Sequence, residues 1–260
     1  MDLGIGGKHA VVCGGSRGIS RAAAWRLAKE GARVTLVART EATLENAATA
    51  ITEDTGASVD FFATDLTSEA GRAALLAAIP DCDILVTNAG VPQTFESYRA
   101  LDRAAWNQWF DAHFFSAMEL IYGYVPGMST RRFGRIVNVS ANFIKFPQVG
   151  VGHSHAARLA LAGAIASLVR EVAPFNVTIN SVLPGLVNTE ALQHALSQRA
   201  EARSVPYSEI ENEVKQRCAA GRIADPQEAG DLIAMLAAAQ MGYVTGQNIV
   251  NDGGAYQGLF

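Results

Sequence analysis

The chain has 260 residues, 49% of them hydrophobic, and a formal net charge of −4. That is enough apolar material to bury the core of one large domain, read as α/β from the alternation of apolar runs with helical patterns. The acidic balance, with no basic run longer than Arg131-Arg132, argues against nucleic acid as a partner.

The first strand is expected over Lys8 to Cys13, a near-continuous apolar run suited to a parallel strand covered on both faces. It leads into Cys13-Gly14-Gly15-Ser16-Arg17-Gly18-Ile19-Ser20 and a helical pattern from about Gly18 to Lys29, closed by Gly31. Gly14 and Gly18 allow a tight turn and a close backbone approach, and the helix start offers unpaired N–H groups and a positive dipole end. The octet therefore reads as a pyrophosphate-binding turn. A second strand, Arg33 to Ala38, ends in Ala38-Arg39, where an NAD site would carry a carboxylate for the ribose 2′-hydroxyl. Arg39 together with Arg17 instead suits a 2′-phosphate, and NADP(H) is the expected cofactor.

Further strands are expected over Ser58 to Ala63, Ile84 to Thr87, Gly134 to Val139, Val177 to Leu183 and Gln247 to Val250. Between them a helix from about Arg103 to Gly123 carries Trp106, Phe110, His113 and Ala117 on one face, expected to point inward. A second, from about Gly152 to Ala173, is apolar nearly all round between Leu159 and Val169, so burial on several sides is expected. The stretch from Glu190 to Arg222 is polar and helical, the pattern of a substrate lid within the single domain. Asp225-Pro226 opens one more helix. Cys13, Cys82 and Cys218 have no metal or redox spacing, and no metal site is expected. With no signal-like N-terminus and no long apolar run, the chain is expected to be soluble and cytoplasmic, with no membrane partner.

Five segments together resemble the short-chain dehydrogenase/reductase family: the glycine octet, Asp65-Leu66, Asn88-Ala89-Gly90, Pro184-Gly185 and Asp252-Gly253-Gly254. The resemblance implies a Rossmann-type doubly wound parallel sheet of about seven strands in a single domain. It places Ser16 and Ile19 with the glycine turn at the phosphates and Asp65 and Leu66 at the adenine. It also places Asn88, Ala89 and Gly90 against the cofactor, and Pro184, Gly185, Val187 and Thr189 in the loop over the nicotinamide. The long apolar helix packs against a neighbouring copy in this family, which implies a homotetramer, or else a dimer.

The resemblance fails at the chemistry. Family members carry Tyr-x-x-x-Lys on the long helix; counting back from Arg170-Glu171-Val172-Ala173-Pro174 puts Ser154 and Arg158 in those columns. The asparagine column falls on His113, and the serine column on Ala141, with Ser140 restored by one deletion in the loop. Ser-x-x-x-Arg resembles a branch loosely labelled 3-oxoacyl-carrier-protein reductases. Ser20 stands where the family commonly has a third glycine. Arg158 keeps a cation that cannot deprotonate near neutrality, and Ser154 is a poor acid. Histidines are then the nearby groups with an ordinary pKa near ~6.5: His113 first, His155 second. Lys145 is a candidate for an anionic substrate group or a displaced base. Three readings stay open: an NADP(H)-dependent oxidoreductase acting on a small carbonyl/alcohol or conjugated substrate, a non-redox lyase, epimerase or cyclase using histidine, and a nucleotide-binding pseudoenzyme subunit.

Overall fold

The computed structural model describes residues 2–92, 97–146 and 148–259. Seven strands, β1 (His9–Cys13), β2 (Arg33–Ala38), β3 (Val59–Ala63), β4 (Ile84–Thr87), β5 (Gly134–Val139), β6 (Val177–Pro184) and β7 (Asn248–Asn251), form one parallel sheet in the order β3-β2-β1-β4-β5-β6-β7. The chain reverses its direction of travel across the sheet between β1 and β4, which opens a crevice at the carboxyl ends of those strands.

The side-chain period of two decides why the sheet is apolar on both faces. In β1, Ala10 and Val12 join one core cluster while Val11 and Cys13 join the other. The first cluster is closed by α1 (Gly18–Lys29), α2 (Glu41–Thr55) and α9 (Pro226–Ala237); the second by α3 (Glu69–Ala78), α5 (Ser116–Arg131) and α6 (Gly152–Val172). The remaining helices are α4 (Arg103–Phe110), α7 (Glu190–Arg203) and α8 (Tyr207–Lys215). Pro226 sits in the first turn of α9 behind a capping box formed by Asp225 and Glu228.

One expected element is corrected. The single helix over Arg103 to Gly123 is two helices, α4 and α5, joined by a π-turn over Asp111–Phe115. The wider turn rotates the helix faces. Trp106 and Phe110 are consequently only half-buried, and the inward face is made by Ala105, Trp109, Ala112, His113 and Ala117.

The 190–222 stretch forms α7 and α8 with a small core of its own, Leu196, Ala200, Ile210 and Val214. It rejoins the body at a bridge between Val187 and Ala224. The three cysteines are free and buried, and burial pushes the Cys13 thiol up to about 12. Among the described residues no helix is long and apolar enough to cross a membrane, and no group of His, Cys, Asp or Glu could hold a metal ion.

Candidate active site

The turn after β1 is built to receive an anion. Gly14 (φ +66°) and Gly18 (φ +59°) adopt the left-handed conformation that a side chain would strain. Arg17 is the extended N-cap residue of α1, and no side chain caps that helix, so its first N–H groups are left for a ligand. Ser20 is fully buried, and its hydroxyl accepts a 2.9 Å hydrogen bond from Asn88 Nδ2. The serine thus ties the turn after β4 to the phosphate turn. Ser16 and Ile19 are half-buried within the same turn.

The two arginines stand at the same end of the sheet. Arg39, exposed after β2, reaches across the crevice: its Nη2 lies 3.5 Å from where a Cβ on Gly90 would stand. Arg17 Nη1 pairs with Glu190 at 2.9 Å, both side chains largely exposed. Asp65 Oδ1 accepts from the backbone N–H and hydroxyl of Thr67. The Leu66 side chain is buried and its carbonyl accepts from Arg72 Nη1 at 3.1 Å, leaving the N–H as its backbone donor. On the far side, the Gly185 N–H donates to Asn251 O, Val187 is buried, and Thr189 Cγ2 would stand 3.2 Å from a Cβ on Gly18. The Thr189 hydroxyl meanwhile caps α7 by accepting from Leu192 N–H.

Beyond the crevice, His113, Ser154 and Arg158 meet. The π-turn carries His113 inward, and Ser154 and Arg158 lie one turn apart on α6. Arg158 Nε donates to Ser154 Oγ at 3.2 Å, Nη1 to Val139 O at 3.3 Å, and Nη2 to His113 Nε2 at 3.4 Å. Because an arginine only donates, His113 carries its proton on Nδ1. A small cavity of about 10 Å³ lies against His113 and Arg158, lined also by Asn88, Ala89, Ser116 and Asn138, so the turn after β4 faces the guanidinium across it.

The electrostatics of the cluster follow from burial. Desolvation, reinforced by the charge of Arg158, takes His113 from its ordinary value down to about 2. Crowding of the guanidinium by protein takes Arg158 down to about 10, so it remains a cation at neutral pH. His113 is therefore where the column count put it, but the premise of a histidine titrating near neutrality does not hold there, and the imidazole is a neutral acceptor.

Three other candidates stand differently. Ser140, at the end of β5, buries a hydroxyl that has no hydrogen-bond partner among the described residues, a group waiting for an acceptor or donor. His155 is half-buried and lies against the Phe143 ring, 6.5 Å between centroids, a ring whose centroid is also 6.0 Å from the Arg158 guanidinium carbon. Lys145 is exposed on the loop after β5. The sequence reading missed Asn138, buried on β5 between Thr87 Oγ1 and Ser181 Oγ, and it singled out Asp252 only as part of a motif, where its carboxylate accepts from Asn142 Nδ2 and from the N–H groups of Gly254, Ala255 and Tyr256. An asparagine inside an apolar strand pattern was the available signal for the first.

The sequence model of the short chain dehydrogenase family matches residues 8–200. The 3-oxoacyl-(acyl-carrier-protein) reductase FabG of Vibrio cholerae is 33% identical over 98% of this chain and 99% of its own. Among solved structures, L-sorbose reductase from Gluconobacter frateurii, complexed with NADPH and L-sorbose, superposes with a TM-score of 0.92 at 28% identity over the whole of both chains. A 3-oxoacyl (acyl-carrier-protein) reductase from Agrobacterium tumefaciens with NADP bound gives 0.87 at 27% identity, over 97% of this chain and 96% of that one. The sheet order, the glycine turn at its switch point and these likenesses along the full length lead to one conclusion: the chain belongs to the short-chain dehydrogenase/reductase family.

Proposed function

We propose that the protein is an NADP(H)-dependent oxidoreductase of a small carbonyl/alcohol or conjugated substrate, in which Ser154, Arg158 and His113 occupy the place of the family's tyrosine, lysine and asparagine. The observation that carries this reading is a cavity of about 10 Å³, room for one water-sized group, with the Asn88-Ala89 turn on one wall and the Arg158 cation, itself bonded to Ser154, on another. The cofactor is NADP(H), which supplies or accepts a hydride at the nicotinamide. The N–H groups at the start of α1, with Gly14, Ser16, Gly18 and Ile19, hold its phosphates. Arg17 and Arg39 take the 2′-phosphate, and Asp65 and the Leu66 N–H the adenine. The turn Asn88-Ala89-Gly90 and the loop carrying Pro184, Gly185, Val187 and Thr189 enclose the rest. Arg158 and Ser154 direct their donors at the substrate oxygen, and the unpartnered Ser140 hydroxyl supplies another.

In the binding test, wild type and Arg39→Asp are titrated with NADPH and NADH by fluorescence. Wild type should prefer NADPH by tenfold or more, about 1.4 kcal/mol, and the variant should lose or invert that preference. Equal affinity for both dinucleotides in both proteins overturns the reading. The α7–α8 pair is the substrate lid. Tyr122 and Leu159, exposed on α5 and α6, support a homotetramer built on those helices; sedimentation of wild type beside Leu159→Arg checks it.

A further inference from the structure

Among the described residues two arginines are enclosed without a carboxylate partner, and they are not equivalent. Arg135 places all five of its N–H groups on oxygen: Ala238 O, Gly134 O, Asn176 O, Asn176 Oδ1 and Ala239 O. Arg158 places three, all at 3.2 Å or longer, on a hydroxyl, a carbonyl and an imidazole nitrogen. Two of its five donors have no partner among the described residues, and Arg158 lines the cavity. A cation in that state is incomplete until an anionic oxygen joins it. Ser154, whose oxygen accepts from Nε, keeps its own O–H as a donor beside that guanidinium.

What the cluster lacks decides which oxygen. Among the described residues lining the cavity there is no carboxylate, tyrosine or protonated imidazole, so none of them delivers a proton as hydride arrives. Reduction of an isolated ketone builds an alkoxide, a strong base that requires such an acid. Hydride addition to a conjugated system builds an enolate, a far weaker base that a fixed cation and a hydroxyl donor can hold unprotonated.

We propose that the substrate is an α,β-unsaturated carbonyl compound reduced at its carbon–carbon double bond, with Arg158 and Ser154 holding the enolate oxygen and water supplying the α-proton. This rests on the hydride-transfer reading above. The β-carbon receives hydride, two electrons and a proton, from NADPH. The C=C π pair becomes the new Cα–C π bond, and the carbonyl π pair moves to oxygen beside Arg158. The α-carbon then takes a proton from water as the carbonyl re-forms. One NADPH, one proton and the unsaturated compound are consumed, giving NADP⁺ and the saturated carbonyl compound.

The experiment has two arms. In the first, the full chain and NADPH deuterated at the transferred position are given matched pairs, cyclohexenone with cyclohexanone and hexenal with hexanal. Turnover of the unsaturated members with deuterium on the β-carbon supports the proposal. Preferential reduction of the saturated members, with deuterium on the carbinol carbon, overturns it and leaves the oxidoreductase reading standing. No turnover of either while NADPH binds overturns the proposal, and failure to bind NADPH overturns the underlying reading. In the second, para-nitrophenol stands in for the enolate without any dinucleotide. Its visible absorbance should show binding as the phenolate at a pH where the free phenol is mostly neutral, at least tenfold weaker in Arg158→Met and partly kept in Arg158→Lys. Binding as the neutral phenol, or binding indifferent to Arg158, overturns it.

Discussion

His113 shows how far a residue's chemistry departs from its reference value when the fold withdraws water from it. As a neutral acceptor for Arg158 it is a positioning residue, and its substitution separates that role from acid catalysis. His113→Asn, which keeps an acceptor, should retain activity within about tenfold, whereas loss of a general acid costs about 10²–10⁴-fold. His113→Leu, which leaves a third Arg158 donor unmet, should lower stability by about 1–3 kcal/mol; thermal melts and steady-state rates on the pair distinguish the roles. Counting along the chain was enough to single out His113, Ser154 and Arg158, which the fold brings into contact, because helix spacing and column position are linear properties. Their protonation was not readable, because it depends on walls contributed by α4, β5 and α6, which no local pattern contains. The same limit applies to His155: its spacing from Arg158 is nearly a helical turn, yet what stands between them is the Phe143 ring, contributed by the loop after β5.

At the scale of elements, the strands β2, β4 and β5 were readable to the residue, since each apolar run is bounded by charge, glycine or a polar turn. The helix before β5 was not, because a π-turn inserts a residue without any mark in composition. Helices α2 and α3 gave no distinct signal: the buried face of α2 is Leu44, Ala47, Ala48 and Ile51, and alanines contrast weakly with their polar neighbours. Close packing shows what a single methyl group would do. A Cβ on Gly71, in the first turn of α3, would stand 2.1 Å from Asp65 O, so the loop carrying Asp65 and Leu66 can lie on α3 only because that position is bare. Gly71→Ala should cost about 1–3 kcal/mol by overpacking and weaken NADPH binding more than it alters turnover at saturating dinucleotide. Chemical denaturation and binding titration on one preparation check both halves.

Over the whole molecule, packing withdraws water from three of the five histidines. Desolvation lowers His9, His113 and His153 alike. In the unfolded chain each takes up a proton near pH ~6.5, which the fold refuses. The stability these residues permit is therefore intact above that pH and lost as the medium acidifies. His113 alone should withdraw about 1.4 kcal/mol for each pH unit below ~6.5. Urea midpoints at neutral and mildly acidic pH should fall accordingly, and His113→Asn should flatten the dependence.

The contact between Arg17 and Glu190 joins the two ends of a thermodynamic cycle. One residue caps the helix that receives the phosphates, and the other begins α7, with Thr189 seated over Gly18 beside it. A dinucleotide that claims Arg17 must release Glu190, so occupancy of the crevice and detachment of α7 are reciprocal, each favouring the other by the same factor. An exposed pair of this kind is worth up to about 1 kcal/mol. Glu190→Gln should accordingly tighten NADPH by up to about fivefold and speed amide exchange in the first turn of α7 of the free protein. On the proposed reading, the arrival of the dinucleotide would loosen the first turn of α7 for the next ligand.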